Sequence, residues 1–269
     1  MQVLISVSSA TEARAALDGG ADIIDAKDPT RGSLGAVDAH VLAEIARTVG
    51  HKRQMSAALG DASDVEDIGA AARGAASCGV AYVKVGLARV RDPEVAWGLL
   101  RAAIRGASAA AGRCGVIAVA YADCDRAQSP SPHDVVDAAK QAGAAGVLLD
   151  SAFKDGVGLF GMMNDAAVGR WIEATRAAGL LTAIAGQLVA ADLDRVRRLG
   201  ADIAGFRSAA CEGGRTGTVA RERVRALIVA ARSRSSPEQR RVHAASQPMH
   251  DVSPPARSPS PAQQRPPTA

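Results

Sequence analysis

A short pattern recurs four times along the chain, each time as a small-residue turn followed by an apolar run. The four segments read GGADIIDAK, CGVAYVKVG, AGAAGVLLD and LGADIAGFR, and the glycine in second place of each is Gly20, Gly79, Gly143 and Gly200. Each glycine follows residues with helical spacing, as a helix C-cap does, and the apolar run after it is typical of a strand. The chain is therefore a repeat of helix, glycine turn and strand.

The interval between these glycines predicts the fold. Successive glycines are 59, 64 and 57 residues apart, about twice the roughly 30 residues of one strand–helix unit. Each interval must then hold one more strand, and suitable segments are QVLISV, RQMSAAL, GVIAVAY and LLTAIAG. Eight strands alternating with helices predict an α/β fold, the (β/α)8 TIM barrel. A doubly wound open sheet is the nearest alternative, but no GxGxxG follows the first strand.

The composition changes near residue 231. Residues 1–231 carry the strand–helix pattern and are predicted to form one TIM-barrel catalytic domain, whereas residues 232–269 are rich in Pro, Ser and Arg and are predicted to be a flexible tail. The tail holds six Arg against two acidic residues, which equals the net charge of +4 of the whole chain. The barrel itself is thus neutral, and aromatic residues make up only 3% of the chain. We expect no nucleic-acid partner.

Other classes of protein are disfavoured by what the sequence lacks. No apolar run approaches the roughly 18 residues of a membrane-spanning helix, and MQVLISVSS has neither a basic region nor a cleavage site. We therefore expect a cytoplasmic protein without a membrane partner. The four cysteines form no CxxC pair and the histidines form no HxxxH or HExxH spacing, so no metal is expected.

Lysine is scarce, since the chain has 27 Arg and five Lys. Because Arg supplies the ordinary surface charge here, each lysine is a candidate for chemistry that needs an amine able to lose its proton. Lys52 and Lys140 lie before a strand and on a helix and are interpreted as solvated surface residues. Lys27, Lys84 and Lys154 fall at or just after predicted strand ends, which is where TIM barrels carry their active sites.

Aspartates accompany these lysines. Asp25 stands two residues before Lys27 on the same strand face, and Asp150 closes the sixth strand, four residues before Lys154. One interpretation is a structural ring of ion pairs that closes the barrel. The other is a Schiff-base lysine whose amine is kept partly neutral by neighbouring ammonium groups, with a second lysine or an aspartate handling protons. The placement of three lysines on even-numbered strands favours the second.

The loops after the seventh and eighth strands predict a phosphate site. Such loops commonly bind phosphate in these barrels, and here they contain Gly186 and Gln187, then Gly205, Arg207 and Ser208. Glycines let backbone N–H groups approach a phosphate, and an arginine can bind it with two parallel hydrogen bonds.

Several segments resemble a known family, the (5-formylfuran-3-yl)methyl phosphate synthases. The resemblance spans residues 1 to about 228 in order and is carried by SVSSATEARAALDGGADIIDAKDPTRGSLGA, YVKVGL, LLDSAFKDG, AGQL and GFRSAAC. It implies a TIM barrel that condenses two molecules of glyceraldehyde 3-phosphate, with loss of phosphate and water, to make the furan of methanofuran. It implies no cofactor. The Ala/Arg-rich composition looks bacterial, which suggests a methylotroph with a methanofuran-like C1 carrier.

The same resemblance implies roles for individual residues. Lys27 in DAKDP would form the Schiff base, Lys84 in VKVG would accept a proton, and Asp25, Asp150 and Lys154 would support acid–base steps. The alternatives are another class I aldolase or a triose phosphate isomerase-like enzyme on the same barrel, and a non-catalytic sugar-phosphate-binding protein. Since barrels of this kind commonly associate, we also expect a homo-oligomer.

Overall fold

The computed structural model describes residues 1–110 and 112–233. In this part of the chain eight parallel strands form a closed barrel in sequence order, with the first strand hydrogen-bonded to the eighth. The strands are β1 (Gln2–Val7), β2 (Ile23–Ala26), β3 (Gln54–Asp61), β4 (Tyr82–Gly86), β5 (Gly115–Tyr121), β6 (Gly146–Asp150), β7 (Leu181–Ile184) and β8 (Ile203–Phe206). The predicted TIM barrel is confirmed, and each predicted strand is present.

Helices surround the barrel, at least one after each strand. They are α1 (Ala10–Asp18), α2 (Ala39–Val49), α3 (Val65–Ser77), α4 (Pro93–Ser108), α5 (Cys124–Ala127), α6 (Pro132–Ala142), α7 (Leu159–Met162), α8 (Asp165–Ala177), α9 (Leu193–Leu199) and α10 (Arg221–Arg232). After β8 the short strands β9 (Cys211–Glu212) and β10 (Thr218–Val219) form an antiparallel hairpin. Among the described helices, none combines the length and apolar character needed to cross a membrane.

The predicted domain boundary lies at the end of the last helix. Residues 1–233 form one compact unit, and α10 continues to Arg232, one residue past the predicted end of the barrel domain. Apart from its first two residues, the predicted tail at 232–269 lies outside the described residues.

The repeated glycines end helices as the pattern predicts. Gly20, Gly79, Gly143 and Gly200 all have positive φ, between 79° and 91°, a region that residues with a Cβ atom rarely adopt. Gly143 and Gly200 are the C-cap residues of α6 and α9, and the other two directly follow the C-cap. Each turn therefore redirects the chain from a helix into the next strand.

Alternation along the strands separates two apolar regions. Outward-facing side chains such as Ile5 and Ile24 pack against the helices in the main core. A smaller cluster, which includes Ala58, Ile117 and Tyr121, fills part of the barrel interior. Leu34, in the loop after β2, belongs to the same cluster and is only 1% exposed. The remaining part of the interior holds the polar residues of the candidate site.

Candidate active site

Asp25 is the centre of a polar network inside the barrel. Its side chain is fully buried and accepts hydrogen bonds from Ser6 Oγ at 2.8 Å, Ser56 Oγ at 2.7 Å and Lys84 Nζ at 2.6 Å. The strand register pairs Ser6 with Asp25 and Asp25 with Ser56, which places the three side chains at one level. A buried carboxylate is tolerated there because it is both ion-paired and hydrogen-bonded.

The sequence did not single out the two serines of this network. A signal was present, because Ser6 and Ser56 each stand at an inward-facing position of an otherwise apolar strand. The position of Lys84 also differs slightly from the expectation: it lies in the middle of β4 and points to Asp25 on β2, rather than at the strand end.

A second ion pair lies at the end of β6. Lys154 Nζ donates to Asp150 Oδ1 at 2.5 Å and to Ser151 Oγ at 3.1 Å, and the Ser151 backbone N–H also donates to Asp150. Burial alone would raise the pKa of Asp150, but the ammonium groups of Lys154 and Lys27 and these hydrogen bonds outweigh it and hold the pKa below its usual value. Asp150 is therefore an ionised carboxylate inside the site.

Lys27 follows β2 directly and is 7% exposed. Its backbone N–H donates to Val7 O at 2.9 Å, which fixes the residue at the mouth of the barrel. Within the described residues its amine forms no hydrogen bond and no ion pair within 4.0 Å. Burial, and then the charge of Lys84, lower the pKa of Lys27 to about 7, against the opposing effect of Asp150 and Asp25. A substantial fraction of this amine is thus uncharged near neutral pH, as a nucleophile requires.

The loop that carries Lys154 is held by neighbouring residues. Asp123 accepts the backbone N–H groups of Ala152 at 2.7 Å and Phe153 at 3.0 Å. The Arg126 guanidinium lies 3.9 Å from the centre of the Phe153 ring and also pairs with Asp155. These contacts position the lysine over the end of β6.

All five predicted phosphate-site residues line one cavity together with Lys27, Lys84, Asp150 and Lys154. Gly186 and Gln187 have φ of 99° and 56°, so two successive residues adopt the left-handed region. Among the described residues, the backbone N–H groups of Gly186, Gln187 and Ser208 find no hydrogen-bond acceptor. Backbone donors that face a cavity in this way can bind an anion.

Arg207, expected to bind phosphate, is bonded to groups of the protein in this structure. Its five N–H groups donate to Glu12 twice and to the carbonyl oxygens of Ser6, Arg215 and Gly217. Burial raises the pKa of Glu12, but the hydrogen bond and charge of Arg207 and hydrogen bonds from Ser8 more than compensate and lower it. A phosphate would have to displace one of these acceptors, and phosphate binding by Arg207 stays a prediction.

Arg215, which the sequence reasoning missed, also lines the cavity. It lies in the turn between β9 and β10 and donates to the carbonyl oxygens of Pro29 and Gly32 in the loop after β2. Nothing in the local sequence, GGRTG, distinguishes it from a surface arginine. Glu12 was also missed, because its partner Arg207 is 195 residues away in the sequence.

As for metals, residues 1–110 and 112–233 contain no group of three or more His, Cys, Asp or Glu side chains that could hold an ion. The charged groups of the cavity are instead lysines, arginines and carboxylates.

The closed barrel and the ionisable cavity at the carboxyl ends of its strands define a TIM-barrel enzyme. The family model described as 4-HFC-P synthase matches residues 3–228. The chain belongs to this family, which confirms the resemblance inferred from the sequence motifs.

Curated relatives agree with this assignment. A protein of Archaeoglobus fulgidus named (5-formylfuran-3-yl)methyl phosphate synthase is 38% identical over 232 residues, which cover 86% of this chain and 99% of the relative. A protein of the same name from Methanopyrus kandleri is 39% identical over 214 residues, which cover 79% of this chain and 90% of the relative. The names of these relatives indicate a synthase.

Solved structures support the fold alone, because their identities are low. Phosphoribosyl anthranilate isomerase from Thermus thermophilus matches with a TM-score of 0.56 and 16% identity, covering 86% of this chain and 98% of that one. A 3-hexulose-6-phosphate synthase matches with a TM-score of 0.55 and 20% identity, covering 84% of this chain and 99% of that one.

Proposed function

We propose that this protein condenses two molecules of glyceraldehyde 3-phosphate into (5-formylfuran-3-yl)methyl phosphate through a Schiff base on Lys27. The observation that carries the proposal is the buried amine of Lys27, which has no ion-pair partner among the described residues and a pKa lowered to about 7, beside two Lys–Asp pairs. The family membership supports the product. The protein would then be a carbon–oxygen lyase in the cytoplasmic biosynthesis of a methanofuran-type C1 carrier, in a methylotroph.

The chemistry starts at the amine. Lys27 attacks the carbonyl carbon of one triose phosphate, and loss of water gives an imine. The imine makes the adjacent carbon acidic, and removal of its proton gives an enamine that attacks the aldehyde of the second molecule. Elimination of one phosphate and loss of water then lead to the aromatic ring. Hydrolysis of the imine returns the free amine.

Two lysine–aspartate pairs would move the protons. Lys84 would accept the proton from carbon while it passes one of its own to the carboxylate of Asp25, 2.6 Å away. Lys154 can deliver a proton to a leaving oxygen, since Asp150 and Ser151 hold its ammonium group at the mouth. Gly186, Gln187 and Ser208 would hold one substrate phosphate through their backbone N–H groups, with Gly205 on the wall of the same cavity.

Trapping of the imine tests this proposal. The protein is incubated with glyceraldehyde 3-phosphate and borohydride, and peptides are analysed by mass spectrometry; we expect a reduced adduct on Lys27. Lys27→Arg should abolish both the adduct and the furan product, because a guanidinium stays protonated. Lys140→Arg, on the exposed face of α6, is the matched control and should behave as the unsubstituted protein.

Three outcomes would contradict the proposal in different ways. No adduct on Lys27, or a fully active Lys27→Arg variant, rules out the Schiff base on this residue. An adduct without a furan product points to another class I aldolase or a triose phosphate isomerase-like enzyme. Binding of glyceraldehyde 3-phosphate without adduct or turnover identifies a sugar-phosphate-binding protein.

A further inference from the structure

The connection between β8 and α10 lies over the neighbouring strand β1 and contacts both α1 and the loop after β2. Residues 207–219, here named the strap, contain the β9–β10 hairpin, with Arg215 in its turn. Arg207 and Glu12 fix the base of the strap, because Arg207 donates to the carbonyl oxygens of Arg215 and Gly217 as well as to Glu12. The tip of the strap is held through the Arg215 guanidinium, which donates to Gly32 O at 2.6 Å and to Pro29 O.

Two of the basic side chains that line the cavity have no ion-pair partner among the described residues. Five basic side chains line the cavity: Lys27, Lys84, Lys154, Arg207 and Arg215. Three of them are ion-paired, Lys84 with Asp25, Lys154 with Asp150 and Arg207 with Glu12. Within the described part of the chain, Lys27 and Arg215 are the two without a carboxylate within 4.0 Å. Lys27 can become neutral by losing a proton, whereas an arginine cannot.

Arg215 therefore keeps its positive charge without a direct ion pair to a described residue, in a partly enclosed site. Its two described acceptors are neutral carbonyl oxygens, and three of its five N–H groups are not used by them. Burial lowers the pKa of this guanidinium, with smaller effects from Asp150, Arg207 and Asp28. Arg215 is half-buried, so its cation is partly desolvated without an ion-pair partner, and a bound anion would offset that cost.

We propose that Arg215 binds the phosphate of the triose phosphate that is joined to Lys27. The assignment rests on the function proposed above. Arg215 is fixed to the loop that directly follows Lys27, so an anion on its guanidinium lies on the same side of the mouth as the amine. The backbone donors of Gly186, Gln187 and Ser208 then remain for the phosphate of the second molecule. Two substrate phosphates thus have two separate sites.

The test compares a phosphorylated with an unphosphorylated aldehyde. The rate of borohydride trapping on Lys27 is measured at varied concentrations of glyceraldehyde 3-phosphate and of glyceraldehyde. Arg215→Gln should lower the trapping efficiency with the phosphate ester by about tenfold or more, as expected for loss of a charge-assisted hydrogen-bonded pair. Trapping with glyceraldehyde should not change. Arg215→Lys should recover part of the loss, since it keeps the charge and not the fork geometry.

Arg221→Gln is the matched control, because Arg221 is exposed on α10 and pairs with Glu222 outside the cavity. It should behave as the unsubstituted protein with both aldehydes. Equal loss with both aldehydes in Arg215→Gln would show that the residue only holds the strap, and no loss would show that it does not bind phosphate. Either result overturns the proposal.

Calorimetric titration with inorganic phosphate separates this proposal from the previous one, because it needs no imine. The unsubstituted protein should bind two phosphates, and Arg215→Gln should weaken one of these two binding events by at least about tenfold and leave the other unchanged. If no Lys27 adduct forms with either aldehyde, the Schiff-base function fails, yet weakened phosphate binding in the variant still supports the anion site. Undiminished phosphate binding, or none to the unsubstituted protein, overturns the Arg215 site.

Discussion

Lys27 combines deep burial with the absence of an ion pair to any described residue. Asp25 and Asp150 lie nearby but are engaged by Lys84 and Lys154, so the amine of Lys27 has to carry its own desolvation cost. A group of this kind weakens the folded state while it is charged, and such a cost is a common feature of active-site residues. The ion-pair-ring interpretation predicts the opposite, namely that every lysine of the cluster stabilises the fold.

Replacement of Lys27 by Met should therefore stabilise the protein. The folded-state pKa is about 7 and the ordinary value is 10.5, so between these values the unfolded chain binds more protons and stability rises with pH. Below about pH 7 the full penalty applies. We expect Lys27→Met to raise the free energy of unfolding by about 2–4 kcal/mol near pH 6–7. This is somewhat less than the pKa shift would give at ~1.4 kcal/mol per pKa unit. The gain should become smaller towards pH 9, where less of the Lys27 amine is charged in the folded state.

Urea unfolding between about pH 6 and 9 measures this change. Lys140→Met, at an exposed position of α6, is the control and should leave the pH dependence of stability as it is. A Lys27→Met variant that is less stable than the unsubstituted protein near pH 6 would show that the ammonium group stabilises the barrel and would favour the ion-pair ring.

At the level of elements, the strand register and the helix packing position the site. The pairing of β1, β2 and β3 places Ser6, Asp25 and Ser56 at one height. Outside the barrel, α3 and α4 approach each other closely at Gly69 and Gly106, where a Cβ atom on Gly106 would lie 2.0 Å from Gly69 O. Small residues at this crossing keep both helices against β3 and β4, the strands that carry Ser56 and Lys84.

Gly106→Ala should destabilise the protein because α3 and α4 must separate to admit the methyl group. Overpacking of this kind costs about 1–3 kcal/mol, which exceeds the ~1 kcal/mol that alanine gains over glycine in a helix. Gly98→Ala on the same helix is the control: a Cβ atom there meets nothing within 4 Å, so stability should stay equal or rise by up to ~1 kcal/mol. Urea denaturation compares the two, and equal midpoints would contradict the close helix contact.

At the scale of the whole molecule, the barrel contains every residue assigned to the site. The cavity is lined by residues between 4 and 215, and the compact unit ends at Ser233. Residues 234–269 carry five Arg and two acidic residues and no apolar periodicity. The flexible character of this segment and the homo-oligomeric state both stay predictions from the sequence.

Truncation after Ser233 should leave the trapping of Lys27 and the formation of product unchanged, because no group of the cavity is removed. The rates of the truncated and full-length proteins are compared under the same conditions. Loss of turnover in the truncated protein, with an unchanged circular dichroism spectrum, would show that the segment takes part in the reaction or in an assembly that the reaction needs.

Several features of the site followed from the sequence for identifiable reasons. The positions of Lys27 and Asp150 depend only on where strands end, and strand ends could be located from the glycine turns. The same reasoning predicted that Gly186, Gln187 and Ser208, in the loops after β7 and β8, would lie at the site, and all three line the cavity. Scarcity of lysine added a second, independent signal for Lys27, Lys84 and Lys154, since arginine serves the surface.

The sequence by itself determined the barrel, its strands and the position of Lys27 at its mouth, because helix and strand periodicities are local properties that repeat along the chain. Only the tertiary structure decided which charges meet. Closure of the barrel brings β8 beside β1, so Arg207 can pair with Glu12. Because Glu12 is then engaged by Arg207, Arg215 has no carboxylate partner there and donates instead to the loop after Lys27. Such pairings depend on distances between residues nearly 200 positions apart, on which local patterns carry no information.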